Sequence, residues 1–130
     1  MTLAMLNEYR DLVLKESNMR ELIYGLRAKA GPQSPRYTGM PHNSTVRDKV
    51  SELAIEIADL EARCAELRRC ISEYSEVEAW ISDIPDDYTR IIFRLRYIRA
   101  MGWQEVADCV GGNNTAGSVK AIAYRYLENL

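Results

Sequence analysis

The side chains best suited to covalent or acid–base chemistry are few in this chain of 130 residues. Three cysteines and one histidine occur, at Cys64, Cys70, Cys109 and His42. The cysteines do not form the close pairs that zinc sites use, and His42 lies in a loop rich in proline and glycine, where the sequence places no catalytic partner beside it. The pair Gly111-Gly112 lacks the following lysine of a phosphate-binding loop. We therefore expect no metal, no cofactor and no enzymatic activity.

Positive side chains at helical spacing are a second candidate for chemistry, because arginine can neutralise phosphate. They are Arg90, Arg94, Arg96 and Arg99. The same spacing also describes a solvated helix face, and no lysine reinforces the series, so both interpretations stay open. Residues 84–130 hold six bases against five acids, a net charge of +1. Such a nearly neutral segment predicts weak nonspecific binding to nucleic acid, since that affinity comes mostly from phosphate neutralisation.

Three short amphipathic helices are predicted in the last third of the chain, the first beginning near Pro85. Their apolar residues recur at intervals of three and four. They are Tyr88, Ile91, Ile92, Leu95 and Ile98; then Val106, Ala107 and Val110; then Val119, Ile122, Tyr126 and Leu127. Gly102 and Gly111 should end the first two helices, the latter in a left-handed conformation, and residues 113–115 are suitable caps for the third.

These helices carry a resemblance to a known family. The segments Leu95-Arg-Tyr-Ile98, Trp103-Gln-Glu-Val-Ala107 and Ser118-Val119-Lys120 resemble the last helix-turn-helix region of bacterial sigma factors. The chain is still more similar to small phage transcription regulators of the ArpU and RinA type, in which a long helical part precedes that region. The resemblance implies a regulator that binds double-stranded DNA, with the helix from Thr115 as its recognition helix and with Arg96 near the DNA backbone.

The recognition helix departs from the family pattern. Ala116, Gly117 and Ala121 stand where polar base readers are usual, and they can touch a thymine methyl group but cannot make a bidentate hydrogen bond. The turn before the helix is also longer than in the family. Direct readout would then fall on Thr115, Ser118, Lys120, Tyr124 and Arg125. With Ala121 and Arg96, these are the predicted DNA-binding residues.

The N-terminal part is predicted to be a long antiparallel hairpin. Apolar residues alternate at four and three along a first helix from about Leu3 to Lys29, with only Glu16 out of place. Prolines and glycines predict a loop at residues 31–44. A second helix, from Thr45 to Ser82, carries an unbroken heptad seam. The seam consists of Val46, Val50, Leu53, Ile57, Leu60, Cys64, Leu67, Ile71 and Tyr74.

That seam is longer than the first helix can cover, so we expect a homodimer through residues 45–82. No segment is apolar enough to span a membrane, and the first residues lack the pattern of a signal peptide. We therefore expect a cytoplasmic protein of a bacterial host cell.

The sequence thus predicts an all-α chain, with a helical hairpin or coiled coil at residues 1–83 and a three-helix, sigma-like DNA-binding domain at residues 84–130. The predicted function is a dimeric, sequence-specific transcription regulator of phage type, and RNA polymerase is a further candidate partner. The alternative is a coiled-coil adaptor that contacts RNA polymerase without reading DNA. Salt-dependent binding of duplex DNA would separate the two.

Overall fold

The computed structural model describes residues 1–30 and 44–130, without the side chains of residues 44–50. Throughout this part of the chain every regular element is helical, which confirms the predicted all-α fold. The predicted loop at residues 31–44 lies outside it except for Ser44, as do the side chains of Val46 and Val50. The elements are α1 (Leu3–Ala30), α2 (Ser44–Ser72), α3 (Ser75–Ser82), α4 (Asp87–Phe93) with a π-helical continuation (Arg94–Ile98), α5 (Trp103–Val110) and α6 (Ala116–Glu128).

The predicted second helix is interrupted. A continuous helix from Thr45 to Ser82 is wrong, because α2 ends at Ser72 and α3 begins at Ser75. At the break, Tyr74 has φ −98° and ψ 27°, and its hydroxyl donates to a carboxylate oxygen of Glu8 at 3.0 Å. The heptad spacing continues across this break, so periodicity alone could not reveal it.

The chain divides into two compact units that do not follow the predicted boundary at residue 83. The first unit comprises residues 1–15 and 69–130, and the second comprises residues 16–68. The reason is that α1 and α3 complete the core of the first unit, which the three short C-terminal helices leave open. This core contains Leu6, Tyr9, Val77, Ile81, Ile84, Ile92, Phe93, Tyr97, Val106, Ala107, Val119 and Ala123.

The fourth helix begins slightly later than its sequence suggests. Asp86, and not Pro85, forms its boundary: the Asp86 carboxylate accepts hydrogen bonds from the Thr89 amide at 2.9 Å and the Thr89 hydroxyl at 2.7 Å. These bonds to the charged form lower the pKa of Asp86. The helix therefore has a side-chain N-cap, and Pro85 stands just outside it.

The buried face of α4 also differs from the prediction. Tyr88 and Ile91, expected in the core, are 39% and 48% exposed, whereas Phe93 and Tyr97 are buried. Of these four residues only Tyr97 lies in the π-helical turn, in which the Arg99 amide donates to the carbonyl of Arg94. Such a turn holds one more residue than an α-helical turn, so it rotates the side chains that follow it.

The second unit pairs α1 with α2. Arg68 Nε lies 3.1 Å from a Glu16 carboxylate oxygen, and Arg27 forms an ion pair with Glu61. Later residues of α1 thus meet earlier residues of α2, so the two helices are antiparallel. Glu16, the one residue out of place in the apolar pattern of α1, is buried here. Arg20 also pairs with its carboxylate, at 3.1 Å. A buried carboxylate is tolerated when charged donors satisfy it.

Candidate nucleic-acid interface

The predicted recognition element consists of α5 and α6, which pack against each other. Val106 and Ala107 of α5 are buried, as are Val119 and Ala123 of α6. The two alanines have side chains of a single methyl group and so permit close approach of the helix backbones. Val106, Ala107 and Val119 agree with the prediction, whereas Ala123 was not predicted. Ile122, Tyr126 and Leu127 are only half-buried.

The turn between the helices occupies residues 111–115. Gly111 has φ 75° and ψ −163°, and Gly112 has φ 67°. A positive φ at Gly111 was predicted, but its ψ places it in an extended region that only glycine adopts readily, not in the left-handed helical region. The Asn114 side-chain amide donates to the Gly111 carbonyl at 2.8 Å. This bond closes the turn ahead of α6.

Two of the predicted DNA-binding residues form the start of α6. The Thr115 hydroxyl accepts a hydrogen bond from the Ser118 amide at 3.1 Å, and the Ser118 hydroxyl oxygen accepts one from the Thr115 amide at 2.8 Å. This reciprocal pair is a capping box, which satisfies two amides that a helix start leaves free. Of residues 113–115, which were all predicted as suitable caps, Thr115 is therefore the N-cap, and the side chains of Thr115 and Ser118 already have partners within the protein.

The outward face of α6 combines small and basic side chains. Gly117, Lys120, Ala121 and Arg125 are all exposed. By helical geometry Ala121 lies opposite Val119, with Lys120 on one side of it and Arg125 on the other. The face therefore places two positive side chains around a surface that another molecule can approach closely.

Tyr124 lies at the edge of this face and is half-buried. Its ring meets that of Trp103 edge-on, with the centroids 6.2 Å apart, and the Lys120 ammonium lies 5.4 Å from its centroid. Trp103 in turn packs edge-on against Tyr97 at 6.4 Å. Both Trp103 and Tyr124 thus pack against the core, and Tyr124 also draws Lys120 toward the ring by a cation–π contact.

Arg96 is also engaged within the protein. Its guanidinium carbon lies 4.5 Å from the Trp103 ring centroid, and its Nη1 donates to the carbonyl of Met101 at 3.1 Å. Burial, and to a lesser extent the nearby guanidinium of Arg10, lower the pKa of Arg96. The structure therefore groups Arg96 with Trp103 and Arg10, and separates it from the exposed residues of α6.

Arg10 contacts Arg96's turn in the structure but was not among the residues that the sequence predicted for the site. Its Nη2 donates to the carbonyls of Ala100 and Met101, at 3.3 and 3.4 Å. It lies in α1, and no local pattern relates a residue of the first helix to a turn about 90 positions later. Only the packing of α1 in the first unit brings it there.

Other kinds of site receive no support from the described residues. Within residues 1–30 and 44–130, no group of three or more potential metal ligands occurs, while His42 lies outside these ranges. Among the described helices, none is long and apolar enough to cross a bilayer. Comparisons with protein family models, with curated proteins and with solved structures return no match.

Proposed function

We propose that this chain is a double-stranded DNA-binding transcription regulator, with α6 as the helix that enters the major groove. The observation that carries the proposal is the outward face of α6, where exposed Lys120 and Arg125 flank exposed Gly117 and Ala121. Small side chains allow a helix to lie close to base edges, and Ala121 can contact a thymine methyl group. The two basic residues would meet phosphates on either side.

The predicted DNA-binding residues would contribute to DNA binding in different ways. Lys120 and Arg125 supply charge, Ala121 supplies close approach, and Thr115 and Ser118 fix the start of the helix through their capping box. Amides at a capped helix start can still donate to phosphate, because a helix N-terminus carries partial positive charge. Tyr124 holds Lys120 at the edge of the face. We expect modest sequence specificity, since few side chains can form bidentate bonds to bases.

Dimerisation is part of the proposal, because residues 84–130 have a net charge of only +1 and should bind DNA weakly, whereas two linked copies gain by effective concentration. The seam itself is a poor contact surface, since Cys64 at its centre is already buried against α1 of the same chain. Ile55 lies on the opposite side of α2 and is 70% exposed. We propose that this side of α2, within the residues 45–82 expected to form the dimer, meets a second copy. Sedimentation should show a dimer for the parent and a folded monomer for Ile55→Lys; equal masses would count against this surface.

DNA binding is tested by the anisotropy of labelled random duplex at several salt concentrations. Lys120→Ala and Arg125→Ala should each reduce the slope of log affinity against log salt by about 0.9, the value for one phosphate contact. Arg63→Ala is the matched control, because Arg63 is an exposed arginine of the second unit that pairs with Asp59 within α2. That control should keep the slope of the parent.

The decisive variant is Ala121→Glu. A carboxylate on the outward face would repel phosphates and should abolish binding, while leaving the circular dichroism spectrum unchanged because the position is exposed. A folded Ala121→Glu protein that binds duplex like the parent would show that α6 is not the reader. The adaptor that contacts RNA polymerase without reading DNA would then be the better account.

A further inference from the structure

Two arginines from distant parts of the first unit converge on one turn. Arg10 of α1 and Arg96 of the π-helical segment both donate to the carbonyl of Met101, from Nη2 at 3.4 Å and from Nη1 at 3.1 Å. Arg10 also donates to the carbonyl of Ala100, a non-glycine residue with φ 57°. Because they share one acceptor atom, the two guanidinium groups lie within a few ångströms of each other.

Among the residues that the structure describes, this pair of positive charges has no acidic partner. In the described part of the chain, the ion pairs involve other arginines, and neither Arg10 nor Arg96 contacts a carboxylate. In addition, the Nε atoms of both are buried without a hydrogen-bond acceptor. Two like charges that are partly desolvated repel each other, and a bound anion would remove that repulsion.

The pair is connected to the outward face of α6 through aromatic rings. The Arg96 guanidinium stacks on Trp103 at 4.5 Å, Trp103 meets Tyr124 at 6.2 Å, and Tyr124 carries the Lys120 ammonium at 5.4 Å. Arg10 and Arg96 are both half-buried, so each keeps part of its surface open to solvent. Two rings thus separate the pair from Lys120.

We propose that Arg10 and Arg96 together form a binding site for one phosphate group, and that its occupant is a backbone phosphate at the edge of the groove that α6 enters. Guanidinium groups match phosphate oxygens in geometry and form strong, charge-assisted hydrogen bonds with them. The identity of the occupant rests on the proposed function. The first helix then belongs to the DNA interface, although it lies far from the recognition helix in sequence.

The test uses Arg10→Gln in the full chain, because glutamine keeps much of the side-chain length without the charge. Binding of labelled duplex should lose about 0.9 from the slope of log affinity against log salt, which makes binding at 0.1 M salt roughly eightfold weaker when the two proteins bind equally at 1 M. Arg10→Lys retains the charge and should keep most of the slope. Arg63→Gln, a matched loss of charge in the second unit, should bind like the parent.

A merely structural role for Arg10 gives a different result. If Arg10 only secures the turn at Ala100 and Met101, then Arg10→Gln should lower the melting temperature and leave the salt slope at the parent value. That outcome overturns the phosphate site while the proposed function stands.

Inorganic phosphate separates the site from the function. It should raise the melting temperature of the parent more than that of Arg10→Gln, because it binds the folded state through the pair. If the parent binds no duplex at all, the proposed function is wrong and DNA is not the occupant. In that case a phosphate-dependent shift confined to the parent still supports the site, and equal shifts in both proteins overturn it.

Discussion

Leu6 offers the most direct test of whether the first helix belongs to the core of the C-terminal helices. It is fully buried, at 0% exposure, in the cluster that contains Ile92 and Val119. Leucine-to-alanine changes in a filled core lower the free energy of unfolding by about 2.7–5.0 kcal/mol. In a domain of about 60–100 residues each kcal/mol lowers the melting temperature by about 4–8 °C, so Leu6→Ala should melt at least roughly 10 °C below the parent.

Ile91→Ala is the matched control, because sequence periodicity predicts Ile91 in the core and the structure leaves it 48% exposed. Its cost should be about 1 kcal/mol or less. Both variants are followed by circular dichroism during heating and in urea. Equal losses for Leu6→Ala and Ile91→Ala would refute the shared core. So would cooperative unfolding of a fragment comprising residues 82–130, because that fragment lacks Leu6, Tyr9, Val77 and Ile81.

Three further predictions concern single interactions, each measured by urea unfolding. Thr115→Ala removes the N-cap of α6 and should cost about 0.5–2 kcal/mol, whereas Thr115→Asn should retain most of the stability; equal losses would argue against the cap. Glu16→Met extends the apolar seam, and its partner arginines return to water because their side chains are about 60% exposed. Stability should stay level or rise by roughly 1–4 kcal/mol, and a clear loss would contradict this. Burial, together with the bond to Glu78, raises the pKa of Tyr9 above 10.0. As the pH rises, the Tyr9 hydroxyl therefore loses its proton in the unfolded chain before it does so in the folded chain. Its full contribution to the free energy of unfolding is present below about pH 10 and should decline above that pH. Tyr9→Phe should flatten that decline, and parental stability that is constant up to pH 11 would exclude it.

Local interactions explain what the sequence predicted well. The first helix, α5 and α6 were predicted because an apolar stripe repeats with the helical period. A cap within residues 113–115 and a positive φ at Gly111 were predicted because the first depends on a few neighbouring residues and the second on the absence of a Cβ atom. Burial of Val106 and Val119 followed from the same stripe. Of the candidate site, this reasoning supplied the exposed residues of α6.

Tertiary structure decided the features whose partners lie far apart in the chain. Periodicity predicts that a face is buried but does not identify the element that covers it, so it missed Leu6 in the C-terminal core and the break at Tyr74. Glu16 interrupts the apolar pattern of the first helix, and the sequence gives no reason for it, because its partner Arg68 lies on another helix. Likewise, Arg10 reaches the carbonyls of Ala100 and Met101 only after α1 has packed into the first unit. In each case the contact joins residues more than fifty positions apart, which no local pattern records.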